Sequence, residues 1–91
     1  MSETITDNTA RHRFEMPLDG GVAFVDYSLN GTIVSLDHAE VPPALEGQGI
    51  GSRLVAATLT HVRSKGQRIV VRCGFVRAYM RRHPEHDDLL A

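Results

Sequence analysis

Residues 14–41 alternate between apolar and polar positions with the period of two that is typical of β-strands. From residue 14 to residue 18 every second residue is apolar, and Asp19-Gly20-Gly21 predicts a turn before a second strand over residues 22–29. Asn30-Gly31 predicts a type I′ hairpin turn, because both residues tolerate a positive φ. Residues 32–41 predict a third strand, which ends at Pro42 because proline has no N–H for the ladder. This half of the chain therefore predicts an antiparallel, three-stranded meander.

The second half of the chain changes to a helical period. Residues 49–65 predict a helix with an apolar face, and Gly66 is placed to end it. Residues 68–73 predict a short buried strand, which a right-handed crossover through the helix places parallel to the third strand. Residues 75–82 predict a short final helix that Pro84 terminates. The predicted fold class is therefore α/β (α+β): a meander, a helix, a parallel strand and a short helix.

Composition restricts the chain to a small globular protein. Its 91 residues, 42% of them hydrophobic, suffice for one modest core. We expect a single domain over residues 11–91, and a disordered tail over the polar residues 1–10. One cysteine excludes an internal disulfide framework. Without a long apolar run or a secretory leader, the chain is predicted to be cytoplasmic, with no membrane partner.

Charge is divided unevenly, although the net charge is only −1. Between Gly47 and Pro84 there is no acidic residue, whereas this stretch contains eight Lys and Arg residues. Such a division favours binding of an anionic ligand to the C-terminal half. Nucleic acid is an unlikely partner, because this half offers only Phe75 and Tyr79 for base stacking.

The segment from Glu46 to Gly51 carries three glycines at alternate positions, just before the predicted helix. Glycine allows a positive φ and lets backbone N–H groups approach a ligand, while a helix N-terminus attracts anions. The segment matches neither a P-loop, which needs a Lys-Ser or Lys-Thr pair, nor the G-x-G-x-x-G turn of a dinucleotide-binding fold. It therefore predicts a phosphate-binding loop of another type, against the alternative of a glycine-rich turn that only connects strand to helix.

The pattern x-x-x-Gly49-x-Gly51 resembles the pyrophosphate-binding motif of the GNAT acetyltransferase superfamily, Gln/Arg-x-x-Gly-x-Gly/Ala. The later stretch from Ala78 to Pro84 resembles a helix of the same superfamily. Together with Asp37-His38 and the stretch from Cys73 to Tyr79, these motifs are similar to a short GNAT-like family of about 90–100 residues. One departure is Glu46, which stands where the superfamily usually has Gln or Arg.

This resemblance implies that the chain binds acetyl-CoA as co-substrate. Backbone groups near Val41 would pair with the pantetheine arm. Arg81 and Arg82 would meet the 3′-phosphate or the pyrophosphate, or else be solvated charges. The pyrophosphate would lie on the loop and the first helical turn, that is, on Gly47, Gln48, Gly49, Ile50, Gly51, Ser52 and Arg53.

Three side chains are the catalytic candidates. His38 is either a general base toward the amine or, if the strand alternates strictly, a buried structural histidine. Cys73 either forms a transient acetyl-cysteine or shapes the pocket as a small buried residue, and direct transfer is favoured. Tyr79 either protonates the departing thiolate, as the resemblance implies, or packs its ring on the sheet. Cys73 and Tyr79 are also expected to contact acetyl-CoA.

The sequence thus favours an acetyl-CoA-dependent N-acetyltransferase, with a noncatalytic CoA-binding or protein-interaction module as the alternative. No histidine or cysteine spacing matches a metal site, so no metal is expected. The residues do not select among a protein lysine, an N-terminus and a small amine as acceptor, and they leave the oligomeric state open.

Overall fold

The computed structural model describes residues 5–91. One five-stranded sheet has the order β1-β2-β3-β4-β5, in which β4 and β5 are parallel and all other neighbours are antiparallel. Helix α1 connects β4 to β5, and helix α2 follows β5. The elements are β1 (Thr6–Asn8), β2 (Arg13–Leu18), β3 (Gly21–Asn30), β4 (Ile33–Glu40), α1 (Ile50–Ser64), β5 (Arg68–Val71) and α2 (Gly74–Arg82), with 3₁₀ helices over Pro43–Leu45 and Pro84–Leu89.

This architecture confirms the predicted fold class: a meander (β2, β3, β4), a helix, a parallel strand and a short helix. The hairpin between β3 and β4 differs in detail. Asn30 pairs with Ile33, so the turn consists of Gly31 and Thr32, and of Asn30 and Gly31 only Gly31 has a positive φ, at 63°. The type I′ turn predicted for Asn30-Gly31 is therefore wrong, and the single positive φ falls on the glycine.

Strand β1 lies within the segment expected to be a disordered tail. Residues Thr6–Asn8 pair with β2, and the Tyr27 hydroxyl donates a hydrogen bond to the Asp7 carboxylate. This contact explains why so polar a segment is held on the sheet edge. Of the rest of the expected tail, Ile5 precedes β1, and residues 9 and 10 belong to a turn before β2. Residues 1–4 lie outside the described part of the chain.

Both helices pack on one face of the sheet, where the core lies. Helix α1 packs against β3, β4 and β5, and α2 against β4 and β5. Alternate strand residues such as Val25, Leu36 and Ile69 are fully buried beneath the helices. The opposite face carries polar and partly exposed residues and lies open. None of the helices within residues 5–91 is long and apolar enough to span a bilayer.

A β-bulge in β4 decides where His38 points. Tyr27 pairs with Leu36 and Asp26 pairs with His38, so Asp37 is the extra residue. A bulge shifts the alternation by one position. His38 therefore joins the open face, with its side chain 57% exposed, instead of the buried face of Val34 and Leu36. The interpretation of His38 as a buried structural residue is wrong.

Strands β4 and β5 separate after four residue pairs. The last pair is Leu36 with Val71, and the N–H groups of Arg72 and Cys73 both donate to the Leu36 carbonyl. Beyond this point the chain turns into α2, while β4 continues to Glu40. We call the opening between residues 37–41 and residues 72–75 the strand gap.

The Tyr27 hydroxyl generates a prediction about alkaline pH. Burial, together with the hydrogen bond and charge of Asp7, raises the pKa of Tyr27 to about 12. Because the folded pKa exceeds the unfolded value of about 10, the contribution of the Tyr27 hydroxyl to stability is fully present below about pH 10. This contribution is lost as the pH rises toward about 12. Between those values the wild type should lose on the order of 2 kcal/mol more unfolding free energy than Tyr27→Phe. Urea denaturation of both proteins measures this, and equal losses would contradict the assignment.

Candidate active site

We call residues 46–51 the glycine loop. A cavity of about 340 Å³ lies between the end of β4, this loop and the start of both helices. It adjoins the strand gap, since Ala39, Glu40 and Val41 form one wall and Phe75 stands opposite. We call it the glycine-loop cavity. Its remaining lining residues are Leu45, Glu46, Gly47, Gly49, Ile50, Gly51, Ser52 and Leu54.

The glycine loop leaves backbone N–H groups without an intrahelical acceptor beside this cavity. Gly47 and Gly49 have φ values of 85° and 73°, which side chains rarely adopt, and Gly49 is the N-cap of α1. The first intrahelical bond runs from the Arg53 N–H to the Gly49 carbonyl. The N–H groups of the three residues between them have no intrahelical acceptor, and no side chain in the described part of the chain caps the helix. Such an end binds anions.

Gly51 serves a different purpose from the other two glycines. A Cβ at Gly51 would lie 2.5 Å from the Phe75 ring, whereas one at Gly47 or Gly49 would meet nothing within 4 Å. A side chain at position 51 would therefore project against α2 and not into the position expected for a phosphate. Gly51 allows α2 to approach α1, and this contact holds the Phe75 ring at the cavity wall.

The cavity's own charges are negative. Glu40 and Glu46 both line it, and none of its lining residues is Lys or Arg. An anionic ligand there would depend on backbone N–H groups and the helix dipole, against two carboxylates. Glu46 is the residue that departs from the superfamily motif, and it stands at the loop itself.

Val41 and the binding residues predicted on the loop and the first helical turn divide into two groups. Gln48 and Arg53 are exposed and outside the cavity lining. Several lining residues are not among the predicted ones, and of these Phe75 was identifiable from its place in the first turn of the last helix. The predicted residues that do line the cavity are Val41, Gly47, Gly49, Ile50, Gly51 and Ser52.

His38 lies on the open face of the sheet, away from the helices. Its Nε2 is 3.5 Å from Glu40 Oε1, and its ring centroid is 6.4 Å from that of Phe24. The bulge places it one residue beyond Asp37, at the edge of the strand gap. An exposed imidazole beside a carboxylate can exchange protons with an approaching amine.

Cys73 lies at the point where β5 ends and α2 begins. It is the N-cap residue of α2, is 8% exposed and belongs to the core cluster. Its N–H is one of the two that donate to Leu36, so the residue borders the strand gap without lining the glycine-loop cavity. Across residues 5–91, no group of three His, Cys, Asp or Glu residues is arranged to hold a metal.

Tyr79 lies one helical turn after Phe75, on the same face of α2. It is 6% exposed, and its ring stacks on His83 with the centroids 4.1 Å apart. Burial, and secondarily the charge of Glu85, raises the pKa of the Tyr79 hydroxyl. The hydroxyl therefore keeps its proton at neutral pH, as a proton donor must. The residue stands behind Phe75 and is not in the cavity lining.

Arg81 and Arg82 point to different sides of α2. Arg81 lies four residues after Arg77, whose guanidinium donates to the Val71 carbonyl, and it lines a groove beside β5. Arg82 lies seven residues after Phe75, on the face of α2 that meets α1. Of the two, Arg82 shares the side of the glycine-loop cavity.

The different environments of the glycines predict different effects of alanine. Gly49→Ala would force a side chain into a left-handed conformation, at a cost of about 1 kcal/mol of unfolding free energy. Gly51→Ala would instead displace the Phe75 ring, and Phe75→Leu in the same chain should restore most of the loss. Chemical denaturation of Gly49→Ala and Gly51→Ala, each with and without Phe75→Leu, measures this. Rescue of Gly49→Ala by Phe75→Leu, or none for Gly51→Ala, would contradict the contact.

Comparisons with known proteins agree with this geometry. The chain is 32% identical to protein NATD1 of Bos taurus over 78 residues, which cover 81% of this chain and 68% of that protein. For human NATD1 the identity is 31%, with the same coverage. The solution structure of a GCN5-like protein from Staphylococcus aureus shares the fold, with a TM-score of 0.71 at 23% identity, over all of this chain and 91% of that one. The family model of GCN5-related N-acetyl-transferases matches residues 13–89, and the chain belongs to this family.

Proposed function

We propose that this protein transfers the acetyl group of acetyl-CoA to an amine. One observation carries the proposal: the glycine-loop cavity, with its unpaired helix N–H groups, adjoins the strand gap. The pyrophosphate would lie on Gly49, Ile50 and Gly51, and the pantetheine arm would enter the gap along the free edge of β4, as an added strand does. Arg82 is the candidate for a further CoA phosphate. The family supports acetyl transfer as the general chemistry.

In the proposed reaction, the amine nitrogen attacks the thioester carbonyl carbon in the strand gap. The new C–N bond forms as the C–S bond breaks, and CoA leaves as a thiolate. His38, on the open face, accepts the proton that the amine loses. Tyr79 donates its hydroxyl proton to the thiolate, although the raised pKa of this hydroxyl makes it a weaker acid than an ordinary tyrosine.

Cys73 is proposed to shape the gap and not to carry the acetyl group. Its side chain is almost fully buried and packed into the core cluster, where it borders the site as a small apolar residue. Direct transfer from thioester to amine requires no cysteine, whereas an acetyl-cysteine requires a thiolate exposed to the thioester.

A noncatalytic CoA-binding module is the second candidate. It is favoured by Glu40 and Glu46, which place two carboxylates and no basic side chain around the cavity. In either case we propose that residues 11–91 act as a single domain, and that the protein works in the cytoplasm.

Three variants rank the proposed catalytic residues. Tyr79→Phe should lower the rate of CoA release about 10²- to 10⁴-fold while the acetyl-CoA affinity stays nearly unchanged, because the ring and its packing remain. His38→Ala should slow transfer, with partial recovery at higher pH, where free amine needs no base. Cys73→Ala should retain most activity. Thiol release with a panel of small amines and peptides measures all three.

Tyr27→Phe is the matched control. It also removes a tyrosine hydroxyl, but one that is bonded to Asp7 of β1, at the opposite edge of the sheet from β5. An acetylated Cys73 peptide after incubation with acetyl-CoA alone would replace direct transfer with an acetyl-cysteine. Binding of acetyl-CoA without release above the blank for any acceptor would support the noncatalytic module.

The carboxylate of Glu46 generates a separate prediction about affinity. Glu46→Gln should tighten acetyl-CoA binding about three- to fivefold at low salt, because it removes a negative charge from the phosphate loop, and added salt should reduce the difference. Asp87→Asn changes the net charge equally but lies beyond the end of α2, and should leave the affinity unchanged. Calorimetry of both variants tests this, and weaker binding by Glu46→Gln would show that the carboxylate supports the ligand.

A further inference from the structure

The open face of the sheet carries a second groove, of about 550 Å³, on the side away from both helices. It runs along β4 from the strand gap toward the β3–β4 turn. We call it the open-face groove. Its lining residues are Ser28, Leu29, Asn30, Ile33, Ser35, Asp37, Val70 and Arg72.

Asp37 is the negative group of this groove, and the bulge presents it there. Ser35 Oγ donates to one carboxylate oxygen at 2.6 Å, and Ser28 Oγ donates to the other at 3.0 Å. The two hydroxyls fix the orientation of the carboxylate without neutralising its charge. Asp37 forms no salt bridge with any residue in the range 5–91. Asp26, on the same face, differs because Arg13 pairs with it at 3.2 Å.

Arg72 is the positive group of the groove. It follows Val71, and Asp37 follows Leu36, so the two are the first residues beyond the last β4–β5 pair. Their side chains line one groove from opposite strands and yet form no ion pair with each other. Opposite charges that stay apart across a groove leave room for a ligand that carries both charges.

Beyond these two charges the groove carries apolar side chains among polar ones, since Ser28, Asn30 and Ser35 also line it. Val70 is 40% exposed, and Ile33 lies on the neighbouring strand two residues before Ser35, the partner of Val70. Burying a branched aliphatic side chain against such a surface is favourable. The groove thus offers an anion and a cation at the strand gap and apolar side chains beyond them.

The groove approaches the strand gap from the open face of the sheet, and the glycine-loop cavity approaches it from the helix face. Ala39 lines that cavity, and Asp37, two residues earlier on the same strand, lines the groove. Two strand residues span about 7 Å. A group held at Asp37 is therefore within one side chain's reach of the strand gap, where the proposed thioester would lie.

We propose that the open-face groove binds a free α-amino acid with an aliphatic side chain. Its ammonium lies on Asp37, its carboxylate on Arg72, and its side chain on Ile33 and Val70. This deepens the proposed function, on which it rests, by making the amino acid the acetyl acceptor. Its amine loses a proton to His38 and attacks the thioester, giving an N-acetylamino acid and CoA thiol. A lysine side chain or a polyamine fits less well, because its positive charge alone would face Arg72.

The test compares ligands that lack one charge at a time. Amide shifts of isotope-labelled full-length protein are titrated, without acetyl-CoA, against L-leucine, leucinamide, 3-methylbutylamine and 4-methylpentanoate. L-Leucine should shift the amides of Asp37, Val70 and Arg72 and bind at least tenfold more tightly than the other three, since each charged hydrogen bond is worth about tenfold or more. Equal binding of leucinamide and L-leucine, or shifts elsewhere on the sheet, would overturn the proposal.

Variants assign each charge to its residue. Arg72→Gln should weaken L-leucine about tenfold and leave 3-methylbutylamine unchanged, while Asp37→Asn should weaken both. Arg68→Gln is the matched control, because Arg68 is the first residue of β5, the strand that Arg72 follows, and lies outside the groove lining. A loss of L-leucine binding in Arg68→Gln as large as that in Arg72→Gln would refute the assignment of the carboxylate to Arg72.

Acetyl-CoA binding and N-acetyl-leucine formation, measured separately by calorimetry and mass spectrometry, distinguish the two proposals. Amino acid binding without acetyl-CoA binding supports the groove and removes the proposed function. Acetyl transfer to peptides or polyamines without L-leucine binding keeps the proposed function and overturns the groove assignment.

Discussion

The separation of β4 from β5 is the constraint on which the site depends. Leu36 is the last residue of β4 to pair with β5, and its carbonyl accepts the N–H groups of both Arg72 and Cys73. Two donors on one acceptor end the ladder there, because the next residues of β5 turn away into α2. The remaining edge of β4 then has free backbone groups, which must find a partner. A ligand in extended conformation provides one, and the opening leads directly into the glycine-loop cavity.

The bulge at Asp37 has its effect at the same level of the sheet. One extra residue moves His38 from the core face to the open face and presents Asp37 beside Ser28 and Ser35. The opening between strands and the shift in alternation thus occur within three residues. Together they give the sheet openings on two sides: the glycine-loop cavity beneath the helices, and a charged groove on the open face.

The glycine loop offers a ligand backbone N–H groups more than positive charge. The predicted helix N-terminus and positive φ values are present at Gly47 and Gly49, while Glu40 and Glu46 oppose an anion in the same cavity. The eight basic residues of the C-terminal half do not surround the loop. Arg77 instead donates to the Val71 carbonyl, and Arg63 pairs with Asp88, so part of this charge is used within the fold. An uneven distribution of charged residues along the sequence therefore does not by itself identify a ligand site.

The sequence alone determined the order of the elements and the loop, because apolar periodicity, glycine and proline act locally on backbone conformation. It predicted the meander, the crossover helix and the parallel strand. It could not determine the pairing of β1 with β2, which depends on the Tyr27 hydroxyl meeting Asp7 across the sheet. Nor could it give the side of the sheet on which His38 lies, or the contact between Gly51 and Phe75. These depend on a register shift and on helix packing, which only contacts between distant segments set.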